Sequence, residues 1–140
     1  MAYLKYVSSM ASPGIIQSAA ARFLTGHQYE RHLRNVRRHY REARDGIMMA
    51  IYRYWPGQVS VSRPEGGFLL WCVFPPGTDG DALYQRAKSM GINIAPGSLF
   101  SCDNAFRHCI RLNFATWSNS PLLLDAMRTL GSLIAAQRES

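Results

Sequence analysis

Arg111 is the one cation in an otherwise apolar run, Cys109-Ile110-Arg111-Leu112-Asn113-Phe114. A planar guanidinium in such a place can clamp a carboxylate through two parallel hydrogen bonds, each worth about 1.5–3 kcal/mol when a charged group takes part. The residues by themselves leave two roles open, a structural ion pair or a ligand clamp. Gly66 and Gly67 stand just ahead of the apolar run Phe68 to Phe74. They permit close backbone approach or a positive φ, as the wall of a substrate site requires. They equally suit a plain hairpin turn, and Pro96-Gly97 equally suits a tight one.

The remaining chemical inventory is thin, and no catalytic residue is assigned. There is no glycine-rich phosphate loop, and no serine sits in a nucleophile-elbow context. His27, His32, His39 and His108 are scattered, so no metal site is expected. Cys72, Cys102 and Cys109 form no CxxC pair and leave an odd count, which argues against a disulfide framework and for a reducing cytoplasm. These features speak against a self-contained hydrolase or metalloenzyme. No apolar run approaches the roughly 20 residues of a membrane span, and the first residues lack the apolar core of a secretion signal. The expectation is a cytoplasmic protein with no membrane partner.

The composition, 47% hydrophobic and 18% charged, suits an ordinary folded domain. The net charge of +7 is unevenly placed, because the only lysines among 16 cations are Lys5 and Lys88. Arg31, Arg34, Arg37, Arg38, Arg41 and Arg44 crowd one short stretch. Such a stretch is either the solvated face of a helix or a surface for nucleic acid or another anionic partner.

The periodicity supplies the elements that position these residues. Ser12-Pro13-Gly14 reads as a helix start, with Ser12 as the cap and Pro13 in the first turn. Ile15, Ile16, Ala19, Ala20, Phe23 and Leu24 then give that helix a broad apolar face that must pack into something. Tyr3 to Ser9 ahead of it reads as either strand or helix. From His27 a stripe through Tyr29, Leu33, Val36, Tyr40, Ala43, Ile47, Ala50 and Tyr54 advances in alternating steps of 4 and 3. This predicts one helix, roughly 40 Å long at 1.5 Å per residue, stopped by Trp55-Pro56-Gly57. The six arginines lie mostly off the stripe.

Beyond the proline the period becomes two. Val59 and Val61 alternate with Ser60 and Ser62, and Pro64 to Gly67 turn the chain into a strand over 68–74. Asp79 or Asp81 caps a helix carrying Leu83, Ala87 and Met90 and ending at Gly91. A brief strand is predicted over Ile92 to Ala95, a turn at Pro96-Gly97, and a strand over Cys109 to Phe114. In that last strand Cys109, Arg111 and Asn113 share one face. A closing helix from Pro121 to Gln137 presents Leu123, Ala126, Met127, Leu130, Leu133 and Ile134. Strands on one side and helices on the other predict a two-layer α/β (α+β) sandwich, a small antiparallel-rich sheet packed against helices.

Three ordered segments carry a family resemblance. Pro64-Glu65-Gly66-Gly67-Phe68-Leu69-Leu70-Trp71, Ile94-Ala95-Pro96-Gly97-Ser98-Leu99-Phe100-Ser101 and Arg107-His108-Cys109-Ile110-Arg111-Leu112-Asn113-Phe114 resemble the C-terminal small domain of class I and II aminotransferases of fold type I. The likeness spans essentially the whole chain. It implies that residues 1–26 are the tail of a large domain that binds pyridoxal phosphate (PLP), and that 27–140 form the small domain. It also implies that Arg111 binds the α-carboxylate of an amino-acid ligand and that Gly66 and Gly67 line the substrate side. Ser8 to Gln17, Tyr29 to Arg34, Arg37-Arg38, Tyr40-Arg41 and Ala95 to Ser101 are similar to the MocR group of GntR-family transcriptional regulators. That group joins a winged helix-turn-helix, which would contact DNA, to an aminotransferase-like domain.

PLP needs a lysine for its Schiff base, and the resemblance places that lysine in a Ser-x-x-Lys context upstream of Tyr3. Neither Lys5 nor Lys88 matches it. The expectation is therefore PLP in a longer protein, none held by this chain, and no enzymatic activity in this chain alone. The longer protein would be a homodimer and a regulator responding to an α-amino acid. The alternative is a free-standing aminotransferase acting on one.

Overall fold

A computed structural model of the chain describes residues 13–103 and 105–138. The expectations for Tyr3 to Ser9, for Lys5 and for Ser12 fall outside the described residues. The chain forms two compact units, Met1–Arg38 and His39–Ser140.

In the first unit, helix α1 spans Gly14–Thr25. Pro13 sits one position earlier than a first-turn proline and serves as the cap residue. Its carbonyl accepts hydrogen bonds from the N–H groups of Ile16 and Gln17 at 3.1 and 3.2 Å. The apolar face expected to pack buries no residue here, and Ile15 is 86% exposed. After Gly26, helix α2 runs over His27–Tyr54, as the stripe predicts. Phe23 meets the rings of Tyr29 and His32 edge-on.

The second unit begins within α2, where Ala43, Ile47, Ala50 and Ile51 are buried. Trp55 ends the helix and donates its indole N–H to the Met127 carbonyl at 3.1 Å. The elements that follow are β1 (Ser60–Val61), β2 (Leu69–Val73), α3 (Gly80–Ser89), β3 (Ala95–Pro96), a 3-10 turn (Gly97–Phe100), β4 (Cys109–Asn113) and α4 (Pro121–Arg138). The sheet order is β1-β2-β4-β3, with each pair antiparallel.

Leu70, Cys72 and Phe74 point from β2 and its end into the core, with Ile110, Leu112 and Phe114 beside them. They belong to one cluster with Ile47 of α2, Leu83 and Ala87 of α3, and Leu130 and Ile134 of α4. Alternation along a strand forces the neighbouring residues Leu69, Trp71, Arg111 and Asn113 to the opposite face. The two-layer α/β arrangement is as the sequence predicts.

Two local features differ from the sequence reading. The third strand lies at Ala95–Pro96 rather than Ile92–Ala95. The N–H groups of Gly91 and Ile92 bond back to the carbonyls of Lys88 and Ala87 at 3.0 and 2.9 Å. This Schellman closure keeps Ile92 tied to the end of α3 and delays the strand. Pro96 is thus a strand residue, tolerated because β3 is an edge; the turn starts at Gly97. Cys109 is also fully buried, although it shares the face of exposed Asn113.

Candidate functional site

Arg111 occupies the middle of β4, opposite Trp71 on β2 and Ala95 on β3. Being central in the sheet, its backbone is held on both sides and only its side chain is free to choose a direction. The side chain is half-buried. Its guanidinium carbon lies 4.0 Å from the centroid of the Phe100 ring. Among the described residues no carboxylate pairs with it, whereas Arg34, Arg44, Arg107 and Arg128 each have an acidic partner.

Arg111 opens into a cleft of about 580 Å³. Leu69, Ala95, Pro96 and Leu99 supply apolar wall, and Tyr84, Gln85, Asn93 and Asn113 supply neutral hydrogen-bonding groups. Asp81 is the acid of this cleft, and its carboxylate accepts a 2.5 Å hydrogen bond from the Ser98 hydroxyl. Asp81 reaches this position because α3 is capped just ahead of it by Asp79. The Asp79 carboxylate accepts from the N–H groups of Asp81 and Ala82 at 2.8 and 3.1 Å and pairs with Arg107 at 2.9 Å. Partial burial raises the Asp79 pKa, but the Ala82 N–H, the Arg107 guanidinium and the Asp81 N–H outweigh it and leave it below the ordinary value.

Trp71 anchors the aromatic side of the site. Its ring meets Phe100 edge-on at 5.7 Å and Phe106 at 5.4 Å. The Pro96-Gly97 motif brings Phe100 there. A Cβ at Gly97 would lie 2.1 Å from the Phe106 carbonyl oxygen and 2.9 Å from Cys109 Cβ, so only glycine lets the 3-10 turn lie this close over β4. That contact is also what buries Cys109.

Gly66 and Gly67 are exposed in the β1–β2 connection and do not line the Arg111 cleft. Gly67 has φ of +76°, which fits a turn role. A second groove, about 900 Å³, is lined by Met48, Met49, Tyr52 and Leu124 of α2 and α4 and contains none of the residues singled out from the sequence as site candidates. Arg31, Arg37, Arg38 and Arg41 are exposed, and Arg34 is 3.8 Å from Glu30. Among the described residues no group of three His, Cys, Asp or Glu side chains could hold a metal ion. No helix among them is long and apolar enough to cross a membrane.

Lys88, the one lysine among the described residues, lacks the surroundings of a PLP Schiff-base lysine. A Schiff-base lysine must shed its proton, which calls for desolvation or a cationic neighbour. Lys88 is instead exposed at the end of α3, its ammonium 5.5 Å from the Tyr84 ring centroid. What the arrangement can do is hold a carboxylate at Arg111 and a hydrogen-bond donor at Asp81. The sequence pointed to Arg111, and the period of two on β4 also marks Asn113. Asp81 and Tyr84 had no signal of their own as site residues, since α3 comes beside β3 and the 3-10 turn only through the tertiary fold.

The chain thus forms a small antiparallel sheet backed by helices, with Arg111 in a central strand and, among the described residues, no carboxylate paired with it. The chain belongs to the class I and II aminotransferase family, whose model matches residues 2–123. It is 32% identical over 132 residues to the uncharacterized HTH-type transcriptional regulator YjiR of Escherichia coli, covering 94% of this chain and 28% of that protein. It is 30% identical over 103 residues to 2-aminoadipate transaminase of Thermus thermophilus, covering 74% of this chain and 26% of that enzyme. The crystal structure of LysN, the alpha-aminoadipate aminotransferase of Thermus thermophilus complexed with N-(5'-phosphopyridoxyl)-L-leucine, superposes with a TM-score of 0.85 at 26% identity. That match covers 98% of this chain and 35% of LysN. The chain thus spans only about 28% of the length of YjiR and 26% of that of the transaminase.

Proposed function

We propose that this chain is the carboxylate-binding, C-terminal part of a longer PLP-dependent, aminotransferase-like transcriptional regulator of the MocR type. Arg111 carries the reading. A half-buried guanidinium in a cleft, with no carboxylate partner among the described residues, is poised for an anionic ligand. In the longer protein that ligand is an α-amino acid or a similar carboxylate, with PLP and its lysine supplied by other residues. Gly66 and Gly67 form a wall on the substrate side that is completed by the rest of that protein. Residues 1–26 belong to its large domain and 27–140 to its small domain. The unburied apolar face of α1 supports this division, because Ile15, Ile16 and Leu24 need a partner that the described residues of the first unit do not provide.

The regulator is favoured by the matches to YjiR and to the HTH-type transcriptional regulator YdcR, each over 94% of the chain. In this reading a winged helix-turn-helix elsewhere in the longer protein contacts DNA, and the protein is a cytoplasmic homodimer. The second reading, a free-standing aminotransferase, is favoured by the likeness to LysN.

One comparison separates and tests both. The longer protein, purified with PLP, is expected to bind its own promoter DNA and to change its absorbance with one or more of the common L-amino acids. The substitution Arg111→Ala is expected to abolish the amino-acid response while PLP stays attached. An unchanged response in Arg111→Ala ends the clamp assignment. Amino-group transfer without DNA binding decides for the enzyme.

A further inference from the structure

The contact between Arg111 and Phe100 reaches beyond the clamp itself, although its meaning rests on the clamp reading. A guanidinium is flat, and its bidentate grip on a carboxylate works only when its plane is set edge-on to the ligand. Arg111 has a long side chain and, among the described residues, no ion pair or side-chain hydrogen bond to set that plane. Its partner is the Phe100 ring, 4.0 Å from the guanidinium carbon. At this distance the guanidinium lies against the π face, where cation–π attraction and stacking hold a cation without consuming any of its five N–H donors. A carboxylate in the place of Phe100 would fix the side chain equally well, but it would neutralise the charge and occupy the donors.

Phe100 is itself fixed. Its ring meets Trp71 edge-on at 5.7 Å, with an angle of 71° between planes. Trp71 is paired with Arg111 across the β2–β4 ladder and also meets Phe106, 5.4 Å away at 86°. Phe100 enters at the end of the 3-10 turn that Gly97 allows to press on β4. The stack Trp71–Phe100–Arg111 therefore runs from a ladder position, through a turn, and back to the same ladder.

We infer that Phe100 is the positioning residue of the carboxylate site: its ring holds the Arg111 guanidinium in the plane that presents the donor fork to the cleft.

Two measurements on this chain test the inference, using propionate as the probe and sodium chloride at matched ionic strength as the control. In the unsubstituted chain the Arg111 side-chain Nε–Hε signal is expected to report slower guanidinium motion than that of exposed Arg41. Equal mobility of the two overturns the inference without any substitution. In the second measurement, propionate is titrated against the Arg111 Nε–Hε shift. Phe100→Leu is expected to weaken the response by about fivefold, the scale of a cation–π contact at a partly exposed site. Phe100→Tyr, which keeps a π face, is expected to retain it. The backbone amide signals of Ile110 and Leu112 report whether β4 is unchanged in both variants. A Phe100→Leu chain that binds propionate as the unsubstituted chain does overturns the positioning role and leaves the clamp standing. If propionate never moves the Arg111 signal in the unsubstituted chain, the clamp reading falls and the inference falls with it.

Discussion

Gly131 of α4 lies directly against the backbone carbonyl of Tyr54 at the end of α2: a Cβ added there would stand 2.1 Å from that oxygen and 3.0 Å from its carbon. Two helices approach this closely only where one side chain is missing, and the approach brings the Trp55 indole to the Met127 carbonyl. The contact fixes α4 on α2 and closes the core behind β4.

Gly131→Ala is accordingly expected to destabilise the fold by about 1–3 kcal/mol, the range for overpacking a tight contact. Gly66→Ala, where a Cβ meets nothing within 4 Å, is expected to stay within about 0.5 kcal/mol. Urea unfolding of the two variants side by side checks both. A mild Gly131→Ala would show that the two helices can part without cost.

Asp79 predicts an acid-sensitive cap. Its folded pKa is lowered, so its stabilisation is complete above the ordinary aspartate value of about 3.9 and is lost as pH falls through the lowered folded value. Stability should therefore drop below about pH 4 in the unsubstituted chain, and less steeply in Asp79→Asn. Asp79→Ala, which removes the acceptor for the Asp81 and Ala82 N–H groups, should cost about 1 kcal/mol at neutral pH. Unfolding curves of the three proteins between about pH 2.5 and 7 measure the effect.

The three cysteines should separate by reactivity, because only a thiolate attacks a thiol reagent. Burial, with Cys109 adding to it, pushes the Cys72 thiol up to about 12. Burial raises Cys109 as well, partly offset by the hydrogen bond to the Trp71 side chain. Cys102 is exposed. An aromatic disulfide reagent is expected to label Cys102 alone in the native chain and all three in denaturant. Native labelling of Cys109 would mean that the 3-10 turn does not stay closed over β4.

Arg111→Lys is expected to weaken carboxylate binding in the longer protein by at least about tenfold, since an ammonium cannot make the paired hydrogen bonds, each worth roughly 1.5–3 kcal/mol. Its thermal stability should change little, because Arg111 has no ion partner to abandon among the described residues. Calorimetric titration with the amino acid that perturbs the PLP absorbance measures the first effect, and a melting curve the second. Unchanged affinity would argue that Arg111 merely fills the cleft.

The local sequence determined much of this protein. The alternating steps of 4 and 3 from Tyr29 to Tyr54 set α2 at the observed His27–Tyr54, because a turn of about 3.6 residues leaves no other way to line up those side chains. Alternation in Cys109–Asn113 put Arg111 opposite the core-facing Ile110 and Leu112, and the Pro-Gly turn with its phenylalanine was legible as a motif. Other features depended on residues far apart in the chain or on backbone bonding. The Schellman closure at Gly91 and Ile92 displaced β3 along the chain, an outcome decided by backbone hydrogen bonds rather than side-chain pattern.

The burial of Cys109 follows from Gly97 lying across it, and Asp81 and Tyr84 enter the cleft only because α3 packs beside β3. Arg111 itself shows the division most clearly. Its type and place in an apolar strand come from the sequence. That it meets an aromatic ring depends on Phe100 of the Gly97–Phe100 turn reaching it, and that is set by how closely two backbones can approach.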